Sequence, residues 1–420
     1  MRIIHTSDWH LGQHFYGKSR LDEHRAFLDW LLEQIQHHQA DALIVAGDLF
    51  DTGTPPSYAR SLYNDFVVRL HQTDCQLVLL GGNHDSVAML EESKVLLSCL
   101  GTHLVARAEM DPAQQVVVIK DPKGKPLGLV CAIPYLRPRD LAHSEAGHSA
   151  EQKKQALQAL IGEHYQGVYR HACQLREELA QQGAGPLPIV ATGHLTCVGA
   201  SQSESVRDLY IGTLDAFPAS AFPPVDYLAL GHIHRPQRIA GSDHLRYSGS
   251  PIPLSFDELG KEKEVLLVEL DHTGFVSATP LPVPTTQPMA MLKGDLASLE
   301  QQLAQWPDNS SPADAQAAPG LTTWLDIEVT DQAYLSDLQN RILALTEGKA
   351  VEVLLVRRAR TTEARALEGE ERETLTELTV EEVFHRRLAL ESLDEAQSNA
   401  LRQRFADTLA QLDESEEAQA

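Results

Sequence analysis

The first half of the chain alternates short apolar runs with stretches of helical periodicity. Residues 2–7 (RIIHTS), 41–47 (DALIVAG) and 75–81 (CQLVLLG) read as buried strands. Between them, residues 22–38 and 57–72 carry apolar side chains at helical spacing, with Leu28, Leu31, Leu32 and Ile35 on one face. This β-α-β-α-β order predicts a sheet with helices packed on it. Further apolar runs fall at 115–120, 128–133, 188–193, 225–230 and 265–270. So many strands predict two sheets packed together, with helices outside. A long polar helical stretch, roughly 149–182, interrupts them.

The pattern changes near residue 279. TPLPVPTTQP is proline-rich and predicts an extended linker. A smaller α/β pattern follows, with an apolar start at Met289–Leu292, a helix near 295–305 and a strand at Trp324–Val329. A second helix near 332–346 and a strand at Val351–Val356 complete it, and DNSSPADAQAAPG reads as a flexible loop. From about residue 361 there are 16 acidic and 6 basic residues. Val380, Val383, Phe384 and Leu388 make one apolar stripe, and Leu401, Phe405, Leu409 and Leu412 another. They predict two helices, either folded back on their own domain or docked on a helix of another chain. The expected domains are therefore 1–278, 284–360 and a helical pair at 375–415.

Composition narrows the function. The 420 residues are 43% hydrophobic and 22% charged, an ordinary globular balance that excludes wholesale disorder. A formal charge of −24 repels phosphates at long range and excludes a simple basic nucleic-acid clamp. Action on nucleic acid would need a local counterweight, a metal or a partner. The five cysteines are scattered without a C-x-x-C pair, and the start MRIIHTSDWH has no apolar signal core. With no run of 18 apolar residues, the expectation is a cytoplasmic protein away from membranes.

Five short motifs sit at the carboxyl ends of predicted strands or just after them. They are Asp8-Trp9-His10, Gly47-Asp48, Gly81-Gly82-Asn83-His84-Asp85, Gly193-His194 and Gly231-His232-Ile233-His234. Strand ends are where α/β folds assemble sites. Any one motif alone is turn chemistry or a satisfied core histidine; five together point to a site. Imidazole, carboxylate and amide donors suit Mn, Fe or Zn at a mixed site, and no thiolate cluster suggests structural zinc. Seven such side chains serve two divalent ions if one carboxylate bridges them, and Asp48 is the natural bridge. His84 follows Asn83 and is either an eighth ligand, a partner of a ligand, or a general acid or charge stabiliser for a leaving oxygen. Asp85 is expected to orient His84 or another imidazole by a hydrogen bond.

In this order the motifs resemble the calcineurin-like metallophosphoesterases. Within that superfamily SDWHLG, AGDLFD, GGNHD, GHIH and YSGSP resemble the SbcD family, nuclease subunits of bacterial SbcCD complexes. The resemblance covers nearly the whole chain and is strongest in residues 1–275. It implies a two-sheet sandwich flanked by helices, a small α/β capping domain and a C-terminal helical hairpin. It implies that Asp8, His10, Asp48 and His234 hold one ion, that Asp48, Asn83, His194 and His232 hold the other, and that His84 is catalytic. It also implies manganese-stimulated 3′-to-5′ exonuclease action on duplex DNA and endonuclease action on single strands and hairpins. The implied partner is a SbcC-type ATPase with a long coiled coil, in a heterotetramer built on a homodimer. Lys18, Arg20, Arg137 and Arg139 are candidate DNA phosphate contacts.

One departure matters. Some relatives carry a second active-site histidine three residues after the bridging aspartate, where this chain has Asp51. Phosphatase relatives carry Arg after the second aspartate of G-D-x-x-D-R-G; here that residue is Thr52, which argues against a monoester phosphatase. A small-molecule phosphodiesterase could share the metal site but would not need residues 280–420. A non-catalytic scaffold would have no use for a complete ligand set.

Overall fold

The computed structural model describes residues 1–141, 150–206, 216–307, 322–330, 337–359 and Arg404. β1 (Arg2–Thr6) leads through a short hairpin, β2 (His14–Phe15) and β3 (Lys18–Ser19), into α1 (Leu21–His38). β4 (Ala42–Val45), α2 (Ser57–His71), β5 (Gln76–Leu80), α3 (Val87–Glu92), α4 (Lys94–Cys99) and β6 (Thr102–Val105) follow. Next come β7 (Val116–Lys120), β8 (Pro126–Cys131), α5 (Pro138–Leu141), the long α6 (Ala150–Gln181) and β9 (Ile189–His194). β10 (Tyr227–Gly231), β11 (Gln237–Arg238), β12 (Leu245–Tyr247), β13 (Glu264–Asp271) and β14 (Gly274–Pro282) complete the larger part. The smaller part holds β15 (Met289–Gly294), α7 (Leu296–Ala304), β16 (Thr323–Val329), α8 (Leu338–Thr346) and β17 (Val351–Arg358).

Two six-stranded sheets result, in the orders β14-β13-β1-β4-β5-β6 and β11-β12-β10-β9-β8-β7. β1, β4, β5 and β6 run parallel, as do β8, β9, β10 and β12. Parallel pairing needs a crossover after each strand, and α1 and α2 supply two of them, covering the outer face of the first sheet. Phe27, Leu31, Leu32, Ile35, Phe66 and Leu70 pack there. Ile161, Tyr165 and Val168 of α6 cover the second sheet. Ile3, Ile44, Val78, Val130, Val190 and Ala229 fill the layer between the sheets. A strand buried on both faces must be apolar throughout, which is why Ala42–Val45 shows no alternation.

The proline-rich segment corrects one expectation. Residues 279–282 are not linker but the end of edge strand β14, paired with β13. Val283 donates its N–H to Lys263 O at 2.7 Å, so alternate residues face β13. Pro280 and Pro282 fall on the other set, where an edge strand points its missing donors outward. The smaller part is a three-stranded sheet, β15-β16-β17, with Leu299, Leu303 and Ile342 of its helices on a core of Leu325 and Ile327. Its Trp324 stacks with Phe15, and Phe256 completes that junction with the larger part. The expected loop at 308–320, the start of the helix near 332 and the paired helices at 375–415 lie outside the described residues.

Candidate metal centre

The carboxyl ends of the parallel strands of both sheets meet at one seam. Asp8 and His10 follow β1, Asp48 follows β4, and Asn83 and His84 follow β5. From the other sheet come His194, the last residue of β9, and His232 and His234 after β10. Trp9 is the anchor of the first loop: it points away from the seam, edge-on to Phe27 and Phe66, with its Nε1 on Thr6 Oγ1 at 3.1 Å. Asp8 and His10 are thereby turned inward. Their N–H groups donate to Gly47 O and Asp48 O at 3.0 and 3.1 Å, binding the first loop to the second.

The backbone at this seam is held in sparsely populated conformations. Asp8, His10, Asp48 and His232 have φ of 54, 45, 51 and 90°. Left-handed geometry at four non-glycine residues of one site marks a functional constraint. The adjoining glycines clear the space. A Cβ on Gly82 would lie 2.1 Å from Asp48 Oδ1, and one on Gly47 2.2 Å from His194 Nδ1.

Asp8, His10 and His234 form one group whose donor atoms lie within 4.8 Å of one another; Asp48, His194 and His232 form a second, and His10, Asp48 and His84 a third. Asp48 is shared by the second and third groups and His10 by the first and third, so these two residues link the three. Asp48 Oδ2 is 3.6 Å from His10 Nε2 and 3.2 Å from His194 Nε2. His194 Nδ1 lies 2.8 Å from Ala46 O, which can only accept, so in the neutral ring Nδ1 carries the proton and Nε2 the lone pair. That Nε2 lies 2.9 Å from Asn83 Oδ1 as well. A lone pair facing two oxygens is repulsive unless a proton or a cation sits among them. Separations near 3 Å are those of neighbouring ligands around an ion with bonds of about 2.1 Å. His10 Nε2 and His232 Nε2 are buried without a hydrogen-bond partner among the described residues, as ligand atoms awaiting an ion would be.

The electrostatics agree. Burial alone would raise the Asp48 pKa, but the charges of His194 and His10 hold it well below the carboxylate range. Burial opposes protonation of His194, yet Asp48 overrides it and raises the imidazole to about 9. His10 is likewise raised against burial, by Asp51 and Asp48. Burial, reinforced by His194, keeps His232 well below its ordinary value. The buried carboxylates thus favour positive charge among these imidazoles, and divalent ions fit the same donors.

His84 donates its N–H to Asp48 Oδ1 at 2.9 Å, and its Nδ1 lies 2.8 Å from Asp51 O. The Asp51 carboxylate is 3.2 Å from His10 Nδ1. Asp51 thus orients His10 with its side chain and His84 with its carbonyl, a role that its position three residues after Asp48 hinted at only as a departure. Among the described residues Asp85 bonds to no imidazole, contrary to the expectation. Its carboxylate accepts from the amides of Leu49, Phe50 and Gly82 at 3.1, 3.0 and 2.9 Å, fastening the Asp48 loop to the Asn83 loop.

Of the four candidate DNA contacts, Arg20 is excluded. It is wholly buried, pairs through Nε and Nη2 with Glu23 at 2.5 and 2.6 Å, and lies over Phe15 and Trp324. Arg137 donates to Gly82 O and Asp85 O at 3.3 and 3.1 Å, bracketing Asn83 and His84. Lys18 pairs with Glu352 of the smaller part at 2.5 Å. Arg139 stays at the surface with its side chain 78% exposed. Ser205 and Glu258, which approach His234, carried no signal in the sequence.

The calcineurin-like phosphoesterase family profile matches residues 1–131. A profile described as the type 5 capsule protein repressor C-terminal domain matches residues 285–392. Two sheets joined at a seam of Asp, Asn and His, with the first of these matches, define a calcineurin-like metallophosphoesterase, an enzyme of the metal-dependent hydrolase class. The whole chain is similar to a narrower set. It is 59% identical to the SbcD subunit of the SbcCD nuclease of Escherichia coli strain K12, over 97% of this chain and 98% of that protein. Identity to the SbcD proteins of Rhodobacter capsulatus and Bacillus subtilis is 38% and 31%, over 70% and 80% of this chain and 71% and 82% of theirs. The chain belongs to the SbcD family of SbcCD nuclease subunits. A β-glucosidase from Exiguobacterium marinum aligns at a TM-score of 0.23 and 9% identity, over 85% of this chain and 88% of that one. No helix among the described residues is long and apolar enough to cross a membrane.

Proposed function

We propose that this chain is the two-metal-ion nuclease component of an SbcCD-type complex. It cleaves duplex DNA from 3′ ends as an exonuclease and single-stranded or hairpin DNA as an endonuclease, in end processing, repair and recombination. The observation that carries this reading is the sharing of Asp48 between two donor groups at the seam, with His84 beside it. Asp8, His10, Asp48 and His234 would hold one ion, and Asp48, Asn83, His194 and His232 the other, most simply Mn²⁺ given the nitrogen and oxygen donors. When bound, such ions neutralise charge on a scissile phosphate and make water a nucleophile near neutral pH. This chain's own residues do the rest. Ala46 O sets the tautomer of His194. Asp51 O holds His84 Nδ1, which directs the ring's other nitrogen to the leaving oxygen as a proton donor. Asp85 and Arg137 keep the two ligand loops at fixed separation.

The charge of −24 is met by partnership. A SbcC-type ATPase with a long coiled coil would supply most of the DNA-binding surface, with the acidic helical pair at 375–415 docked on its root. The complex would be a cytoplasmic heterotetramer around a homodimer. The part at 284–360 caps the metal site beside the junction of Phe15, Phe256 and Trp324. Lys18, Arg137 and Arg139 are the remaining candidates for DNA contact. The test is cleavage of blunt duplex and hairpin DNA with and without Mn²⁺, with bis-p-nitrophenyl phosphate alongside. Metal-dependent cleavage of both DNAs is expected; hydrolysis of the small diester alone would make the chain a small-molecule phosphodiesterase.

A further inference from the structure

We propose that Ser205, oriented by the buried Glu258, is a positioning residue that holds His234 ready to take an ion with Asp8, His10 and Asp48. The proposal rests on the two-ion reading above. Neither residue belongs to the five motifs, and they reach His234 from separate segments.

Ser205 Oγ is 2.6 Å from His234 Nδ1 and donates to Glu258 Oε1 at 2.5 Å. A hydroxyl has one proton. With that proton on the carboxylate, the oxygen accepts from Nδ1–H, and the lone pair of His234 stands on Nε2. Glu258 is committed to this arrangement from the other side. It is 3% exposed, and its Oε2 accepts from the Lys263 ammonium at 2.5 Å and from Leu254 N at 3.1 Å. Lys263 Nζ also donates to His234 O at 3.0 Å, so side chain and backbone of the histidine are held from one buried ion pair. The segment carrying Ser205 is itself pinned. Ser203 Oγ donates to Glu258 Oε1 at 2.9 Å, and Ser201 exchanges bonds of 2.8 and 2.9 Å with the Gln237 amide. An exposed serine recruited by chance would have none of this support.

Partners of ligating histidines fix ring orientation and contribute about 10–100-fold in metal affinity. The lower end applies here, because Glu258 Oε1 is only 3.5 Å from His234 Nδ1 and can take it over directly when the hydroxyl is lost. Glu258→Gln is a poor probe, since it leaves Lys263 charged and buried. The full-length wild type, Ser205→Ala and Ser205→Thr are titrated with Mn²⁺ alone, with bound metal counted by mass spectrometry and metal-free melting followed by circular dichroism. Ser205→Ala should weaken one ion about tenfold and leave the other unchanged. Ser205→Thr, which keeps the hydroxyl, should restore it. Two ions bound by Ser205→Ala with wild-type affinities would overturn the relay. Equal weakening in both variants with equally lowered melting would trace the effect to packing and also overturn it. A wild type that binds fewer than two ions would overturn the two-ion reading beneath it.

Discussion

Arg20→Met separates a structural arginine from a DNA contact. Arg20 is fully buried, makes two bonds to Glu23, donates to Pro253 O at 2.7 Å and to Gln13 Oε1 at 3.1 Å, and covers Phe15 at the junction with the smaller part. Methionine fills part of the volume but leaves Glu23, 6% exposed, as an uncompensated carboxylate. Removing one partner of a buried pair costs about 3–5 kcal/mol. At about 2–4 °C per kcal/mol for a domain of this size, melting should fall by roughly 10 °C. Arg20→Met/Glu23→Leu should recover most of that loss, because the buried charge goes with its partner. Thermal melting of the three proteins measures the stability. A salt series of duplex-DNA binding measures the other half: losing one phosphate contact lowers the salt slope by about one unit, and no such change is expected. Unchanged melting together with a shallower slope would refute the structural role.

The remaining expectations concern the seam. His84→Gln should reduce DNA cleavage by about 10²–10⁴-fold with both ions retained; loss of an ion on mass spectrometry would make His84 a ligand instead. Asp48→Asn should be worse than any single terminal substitution, because a neutral amide offsets the repulsion of two dications poorly; two ions and near-normal turnover in this variant would refute the bridge. Adding Mn²⁺ to the chelated protein should raise its melting temperature, with stabilisation of about 2.7 kcal/mol at 100 times the dissociation constant. Since His194 sits near 9 without metal, the ion displaces a proton, and apparent affinity should fall by about tenfold per pH unit as pH drops below that value. Affinity flat between pH 6 and 8 would contradict this.

Much of the fold was legible because burial on both faces leaves a plain signature. The runs at 41–47 and 75–81 became β4 and β5, and the face of Leu28, Leu31, Leu32 and Ile35 became the buried side of α1. β6 was missed because Thr102–Val105 is four residues long, with His103 partly exposed. β14 was misread because proline statistics do not distinguish an edge strand from a linker; the outward set of positions does. For the site, residue type sufficed where chemistry demands it, as with five Asp, Asn and His motifs at strand ends. It did not suffice where a residue acts through backbone. Asp85 and Arg137 look like an imidazole partner and a surface cation, yet their bonds run to amides of Leu49, Phe50 and Gly82 and to carbonyls of Gly82 and Asp85.

Those backbone contacts explain why the seam can exist. Left-handed geometry costs about 1–3 kcal/mol at each non-glycine residue, and four donors carry it. A single sheet could present Asp8, Asp48 and Asn83 from adjacent strand ends, but they would point the same way. Opposing donors require a second sheet whose strand ends face the first. Contact across the seam is direct: the His232 N–H donates to Asp8 Oδ1 at 2.9 Å, and Ala46 O meets His194 Nδ1. The bond between Ala46 and His194 is possible because glycines stand where a side chain would intrude, Gly231 against Ala46 O and Gly47 against His194 Nδ1. The core of Ile44, Val78, Val190 and Ala229 lies directly behind these loops. Burial there is the stabilising term that offsets backbone strain and clustered like charge, so the donors can wait in a geometry that they would not adopt alone.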